Sequence, residues 1–99
     1  AQLMFIVTLT YTAPLERIDA YLEAHRAWLG EQYARGLFLM SGRKEPRDGG
    51  IIIAHAASRA ELEAVLRDDP FGQAGIATYA ITEFVPTMTA EALAAWRAQ

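Results

Sequence analysis

The chain has 99 residues, no cysteine, and 12 acidic against 9 basic side chains, for a net charge of −3. The length suits one domain. The missing cysteines exclude disulfides and thiolate metal sites, and the acidic balance offers no basic face for nucleic acid. No run approaches the roughly 18 apolar residues of a membrane span. Ala1–Val7 has neither the basic n-region nor the apolar length of a signal peptide. The absence of cysteine fits the cytoplasm.

Leu3 to Thr10 is rich in β-formers and nearly continuous in apolar residues, which predicts a first strand buried on both faces. Thr12-Ala13-Pro14 breaks it and opens a helix, with Thr12 or Ala13 as cap and Pro14 in the first turn. Leu15, Ile18, Leu22, His25, Leu29 and Tyr33 then recur at helical spacing. They predict one inward stripe on a helix ended by Gly36. A second strand is expected over Leu37–Gly42 and a hairpin loop over Lys44–Gly50, with the pair Gly49-Gly50 at its end. Ile51–Ala56 reads as a third strand. Ser58 and Glu61 make a capping box for a second helix that turns Leu62, Val65 and Leu66 inward. Asp69-Pro70 stops that helix, because a residue before proline avoids the helical region. Gly72–Gly75 reads as a loop and Thr78–Val85 as the fourth strand. Thr89–Arg97 reads as a short terminal helix anchored by Leu93 and Trp96.

This order, β-α-β-β-α-β, is that of ferredoxin-like α+β folds, with two helices on one face of an antiparallel sheet. The chain 1–99 is expected to be a single domain, with a core over about 3–86 and a C-terminal extension over 87–99. The first and third strands are apolar on both faces. A bare apolar sheet face is too large to leave in water, so a homodimer packed sheet to sheet is expected. The competing expectation is that the C-terminal segment folds over that face.

Two residues stand out for chemistry. His25 occupies a place on the apolar stripe where a leucine would pack. A buried imidazole needs partners for its nitrogens, and a backbone carbonyl is the ordinary one. Asp69 follows Leu62, Val65 and Leu66 by 7, 4 and 3 residues, which turns it inward at the end of the second helix. Both helices cover the same sheet face, so His25 is its natural donor. Such a carboxylate fixes the imidazole tautomer and raises its basicity. As a turn residue, Asp69 would instead accept nearby backbone N–H groups. Asp68 lies one residue off the stripe and faces solvent.

Around this pair, Ser41 and Gly42 end the second strand and are candidates for contacting a ligand. Trp28, Tyr21 and Phe71 are candidates for the walls of a small apolar pocket. His55 ends the third strand and reads as partly exposed and structural. Two histidines on separate elements, without cysteine, are a weak metal signal. The sequence carries no G-x-G-x-x-G, phosphate loop or G-x-S-x-G. No cofactor and no metal are therefore expected.

Several of these residues together resemble the YCII family. They are Glu23-Ala24-His25-Arg26-Ala27-Trp28-Leu29, then Gly42, then Asp69-Pro70-Phe71-Gly72-Gln73-Ala74-Gly75, and finally Ile81-Thr82-Glu83-Phe84. The resemblance spans about Leu3 to Val85. Leu22 stands where many relatives have arginine, and Arg43 where many have proline. The resemblance implies a dimeric α+β barrel and a His–Asp site transferred here as His25 and Asp69. It also brings in proton-moving chemistry on small ring compounds, such as dehydrochlorination of a hydroxyquinol or isomerisation of a muconolactone. The leading expectation is a cofactor-independent lyase or isomerase acting on a small carbonyl, lactone or phenolic compound. The alternatives are a non-catalytic module that binds a small molecule or dimerises, and, by fold analogy alone, a cofactor-free oxygenase.

Overall fold

The computed structural model describes residues 3–98. It contains β1 (Leu3–Tyr11), α1 (Leu15–Ala20), α2 (Leu22–Ala34), β2 (Phe38–Arg43), β3 (Gly49–Ala56), α3 (Arg59–Leu66), α4 (Pro70–Gln73) and β4 (Ala77–Phe84), then a 3₁₀ segment over Glu91–Trp96. The four strands form one antiparallel sheet in the order β2-β3-β1-β4. This is the ferredoxin-like α+β arrangement expected from the order of elements.

Alternation along the strands divides the sheet faces. Phe5, Val7 and Leu9 of β1 and Ile52, Ala54 and Ala56 of β3 point under the helices. They form the core with Ile18, Trp28, Phe38, Leu62, Phe71 and Ile76. Burying a side chain such as Phe5 or Leu62 contributes about 1.5–3 kcal/mol. On the opposite face, Ile6, Thr8, Ile51 and Ile53 are half-buried and Met40 is exposed. The C-terminal segment reaches part of that side, where the Trp96 ring lies 4.7 Å from the His55 ring.

Four local departures from the sequence reading position the site. The first helix is broken at Tyr21 (φ −107°, ψ 2°), so α1 and α2 are separate segments. Pro14, rather than Thr12 or Ala13, occupies the cap position. After the break, burial runs through His25, Trp28 and Gln32. Leu22 and Leu29 are left half-buried, and Leu15 and Tyr33 are exposed. Much of the expected core stripe is thus turned toward the rim of a cavity.

The second departure is in β2. Phe38 pairs with Ala54 and Met40 with Ile53, so Leu39 is an extra residue on that strand. A bulge of this kind reverses the faces of every residue after it. It places Ser41 opposite the core residue Ile52 and Arg43 opposite Gly50. Both side chains thereby join the helix-covered side.

Third, Gly49 and Gly50 begin β3 instead of closing a loop. A Cβ on Gly49 would lie 1.9 Å from the Leu9 carbonyl oxygen. The close approach of β1 there leaves no room for a side chain. Fourth, Asp69-Pro70 starts a helix rather than ending one. The α3 helix stops at Leu66, and Pro70 takes the first position of α4, where its missing N–H costs nothing. The Ser58 cap is as expected: its hydroxyl accepts the Glu61 N–H at 3.1 Å.

Candidate active site

His25 and Asp69 meet. The imidazole Nδ1 lies 2.7 Å from Asp69 Oδ1, inside the protein. Asp69 is fully buried and His25 is 9% exposed. Three elements converge on the carboxylate. Its Oδ1 also accepts the Phe71 N–H at 3.1 Å, capping α4. Its Oδ2 accepts the Tyr79 hydroxyl from β4. Asp69 is therefore an imidazole partner and a turn-forming acceptor at once. It acts from the cap of α4, because the chain has already left α3 at Leu66.

A buried carboxylate is costly unless paired and fully hydrogen-bonded. Here a ring N–H, a backbone N–H and a phenol supply the compensation. With Nδ1 engaged by Asp69, the other ring nitrogen, Nε2, has no hydrogen-bond partner among the described residues. The ring is held by packing as well. Phe71 stacks on it with centroids 3.9 Å apart and planes 7° from parallel.

Tyr79 was not singled out from the sequence. It lies on the inward side of β4, two residues after the buried Ala77. An inward tyrosine needs a partner for its hydroxyl, and that was the available signal. Burial, followed by the hydrogen bond and the charge of Asp69, pushes its phenol well above the ordinary tyrosine range. It stays a donor to Asp69 through the physiological range. Gly72 makes the approach feasible, since a Cβ there would sit 3.0 Å from the Tyr79 hydroxyl.

A cavity of about 500 Å³ opens beside His25, a size that suits a small ligand. Ser41, Gly42, Phe71, Leu22 and Leu29 are among its walls. Ser41 is hydrogen-bonded to the Tyr33 hydroxyl at 2.5 Å. Two expected wall residues are elsewhere. Trp28 is buried beneath the site, tilted against His25 at 5.7 Å and edge-on to Phe38 at 5.4 Å. The shift of α2 after Tyr21 put it there, and Tyr21 itself is exposed and does not line the cavity. The indole N–H of Trp28 is buried with no acceptor among the described residues. His55 also lies away from the cavity, with its Nε2–H donated to the Gly36 carbonyl at 2.5 Å. Among the described residues, no three His, Cys, Asp or Glu side chains gather as a metal site, and no helix is long and apolar enough to cross a membrane.

A four-stranded antiparallel sheet under helices, with a buried His–Asp pair at a cavity, places the protein among ferredoxin-like α+β proteins. A family model described as the YCII-related domain matches residues 4–85, and the chain belongs to that family. Among solved structures, it is similar to 5-chloro-2-hydroxyhydroquinone dehydrochlorinase from Burkholderia phenoliruptrix in complex with 2,5-dihydroxybenzoquinone. That likeness has a TM-score of 0.72 at 20% identity and covers 82% of this chain and 92% of the other. No curated protein matches the sequence.

Proposed function

We propose that the protein is a small cofactor-independent enzyme that transfers a proton on a carbonyl, lactone or phenolic compound. The observation that carries this reading is the buried 2.7 Å contact between His25 Nδ1 and Asp69 Oδ1 at the edge of a ligand-sized cavity. Asp69 holds the tautomer in which Nε2 is free to act as general base. Nε2 takes a proton from a carbon or hydroxyl of the substrate, and Asp69 stabilises the resulting imidazolium. In an isomerisation the proton returns to another carbon of the same compound. In an elimination the electron pair left behind expels halide, and the imidazolium releases its proton to solvent. The structurally similar dehydrochlorinase carries out a reaction of the second kind. Ser41 and Gly42 contact the substrate at the β2 side, and Phe71 packs on its ring. Trp28 supports His25 from below.

The working unit in this reading is a homodimer formed through the face bearing Ile6, Ile51, Ile53 and Met40, with 3–86 as the folded core and 87–99 as its extension. Light scattering of the full chain should give about twice the mass of one 10.9 kDa chain.

The test of the activity is a screen of lactones and halogenated phenols with wild type and His25→Gln side by side. Turnover that falls by about 10²–10⁴ in the variant is expected. Turnover unaffected by the substitution, or a protein that binds such compounds without converting them, would replace the enzyme with a binding module.

A further inference from the structure

The cavity beside His25 is charged with one sign. Arg26 reaches it from α2, Arg43 from the end of β2, and Arg47 from the β2–β3 connection, and no aspartate or glutamate lines it. This runs against the composition, in which acidic residues outnumber basic ones by 12 to 9. The three guanidinium groups are not spent on one another's neighbours equally. Arg47 is held by Asp19 at 2.5 Å, which keeps it in place at the rim. Arg43 pairs with Glu45 at 3.1 Å, but their side chains are 71% and 77% exposed. A pair so open to water contributes little and is readily exchanged. Arg26 has no carboxylate partner among the described residues. The bulge at Leu39 is what turns Arg43 toward this side.

From these observations we infer that the cavity selects small anions, namely ring compounds bearing a carboxylate or phenolate group. Leu22, Leu29, Ile52 and Phe71 hold the ring, and Arg26 and Arg43 read the charge, with Arg47 as a fixed positive group. A guanidinium presents a planar fork of donors that matches a carboxylate, and a concave wall of one sign raises the local concentration of the opposite ion. The same arrangement serves the chemistry. Removing a proton from an anion builds a second negative charge, and positive groups already in place stabilise it as it forms. The inference rests on the proposed function only in taking this cavity as the substrate site.

Benzoate and benzamide share a shape and differ in charge, so their binding to the full chain isolates the effect. It can be followed by amide NMR shifts at low and high salt. Benzoate is expected to bind more tightly than benzamide and to weaken as salt rises. The double substitution Arg26→Gln and Arg43→Gln should weaken benzoate by about tenfold and leave benzamide unchanged. Both arginines are exposed, so the variant should fold, which its amide spectrum checks directly. Equal affinity for the two probes, no benzoate binding, or benzoate binding indifferent to the double substitution would each overturn the inference. The readout needs no turnover. If benzoate binds as expected and no compound is ever converted, anion selection stands and the enzyme reading falls. If a neutral lactone is converted through His25 while the two probes bind alike, the reverse holds.

Discussion

The two histidines of this chain show what an identical side chain becomes in different surroundings. His25 is buried on α2, gives Nδ1–H to a carboxylate and lies at a cavity. His55 alternates along β3 with the core residues Ala54 and Ala56 and so faces the other side of the sheet. It gives Nε2–H to the Gly36 carbonyl and packs against Trp96. A carbonyl dipole orients an imidazole but does little for an imidazolium. A buried carboxylate does both. The difference between a structural histidine and a candidate base therefore lies in its partner, and that partner comes from a distant part of the chain.

The sharpest way to break this comparison is kinetic. On any substrate found by the screen, His25→Gln should lower kcat/KM by about 10²–10⁴, while His55→Gln should leave it unchanged. Equal losses from both variants would mean that the fold, and not the site, had been damaged. Next in size is stability. Asp69→Ala strands the His25 ring N–H, the Phe71 N–H and the Tyr79 hydroxyl together. Urea denaturation should show a loss of about 3–5 kcal/mol, the range for breaking a buried pair from one side. His55→Ala, which frees one backbone carbonyl near the surface, should cost only about 0.5–1.5 kcal/mol.

A third experiment separates Tyr79 from the rest by pH. At neutral pH, Tyr79→Phe should lower stability by about 1.5–3 kcal/mol, as expected for a hydrogen bond to a charged acceptor. In wild type the folded phenol titrates above its unfolded value, chiefly because it is buried and then because of Asp69. Its contribution is complete below the unfolded value of about 10. It is lost as pH rises beyond that, because the unfolded chain then releases a proton that the folded one keeps. The gap between wild type and Tyr79→Phe should narrow when the measurement is repeated above about pH 10. A constant gap would show that the phenol titrates alike in the folded and unfolded chain.

The parts of this structure that could be read from sequence are those governed by periodicity or by a local rule. The four strands, the Ser58 cap and the inward placement of His25 belong here; Asp69 is inward as expected, but from the cap of α4 rather than the end of α3. What escaped depends on contacts remote in the chain. Nothing local to Gly49 says that the Leu9 carbonyl will press against it. The bulge at Leu39 leaves the apolar run of β2 intact while reversing the faces of Ser41 and Arg43. The rule for residues before proline puts the helix end at Asp69, whereas α3 already stops at Leu66. It could not show that Pro70 would start another, four residues long, whose cap is the carboxylate that His25 uses. The break at Tyr21 likewise follows no proline or glycine, yet it moved Trp28 from the expected wall to the floor beneath the site.

The last test concerns the His55 side. Trp96 is half-buried, and its ring meets His55 at 53°. Trp96→Ala should cost about 0.5–1.5 kcal/mol beyond the area it uncovers. The position of the effect matters more than its size. Removing an aromatic ring at this distance should shift the His55 ring protons in an NMR spectrum and leave those of His25 in place, because the sheet lies between them. A matching shift at His25 would show that the two sides are coupled and would undo the contrast between them. The same variant bears on the dimer. If a second copy covers this face, unfolding of wild type depends on protein concentration by mass action. Trp96→Ala should then lower the midpoint at every concentration while keeping that dependence, since the ring packs on His55 at the end of β3. Loss of the concentration dependence in the variant would instead make the C-terminal segment part of the dimer contact.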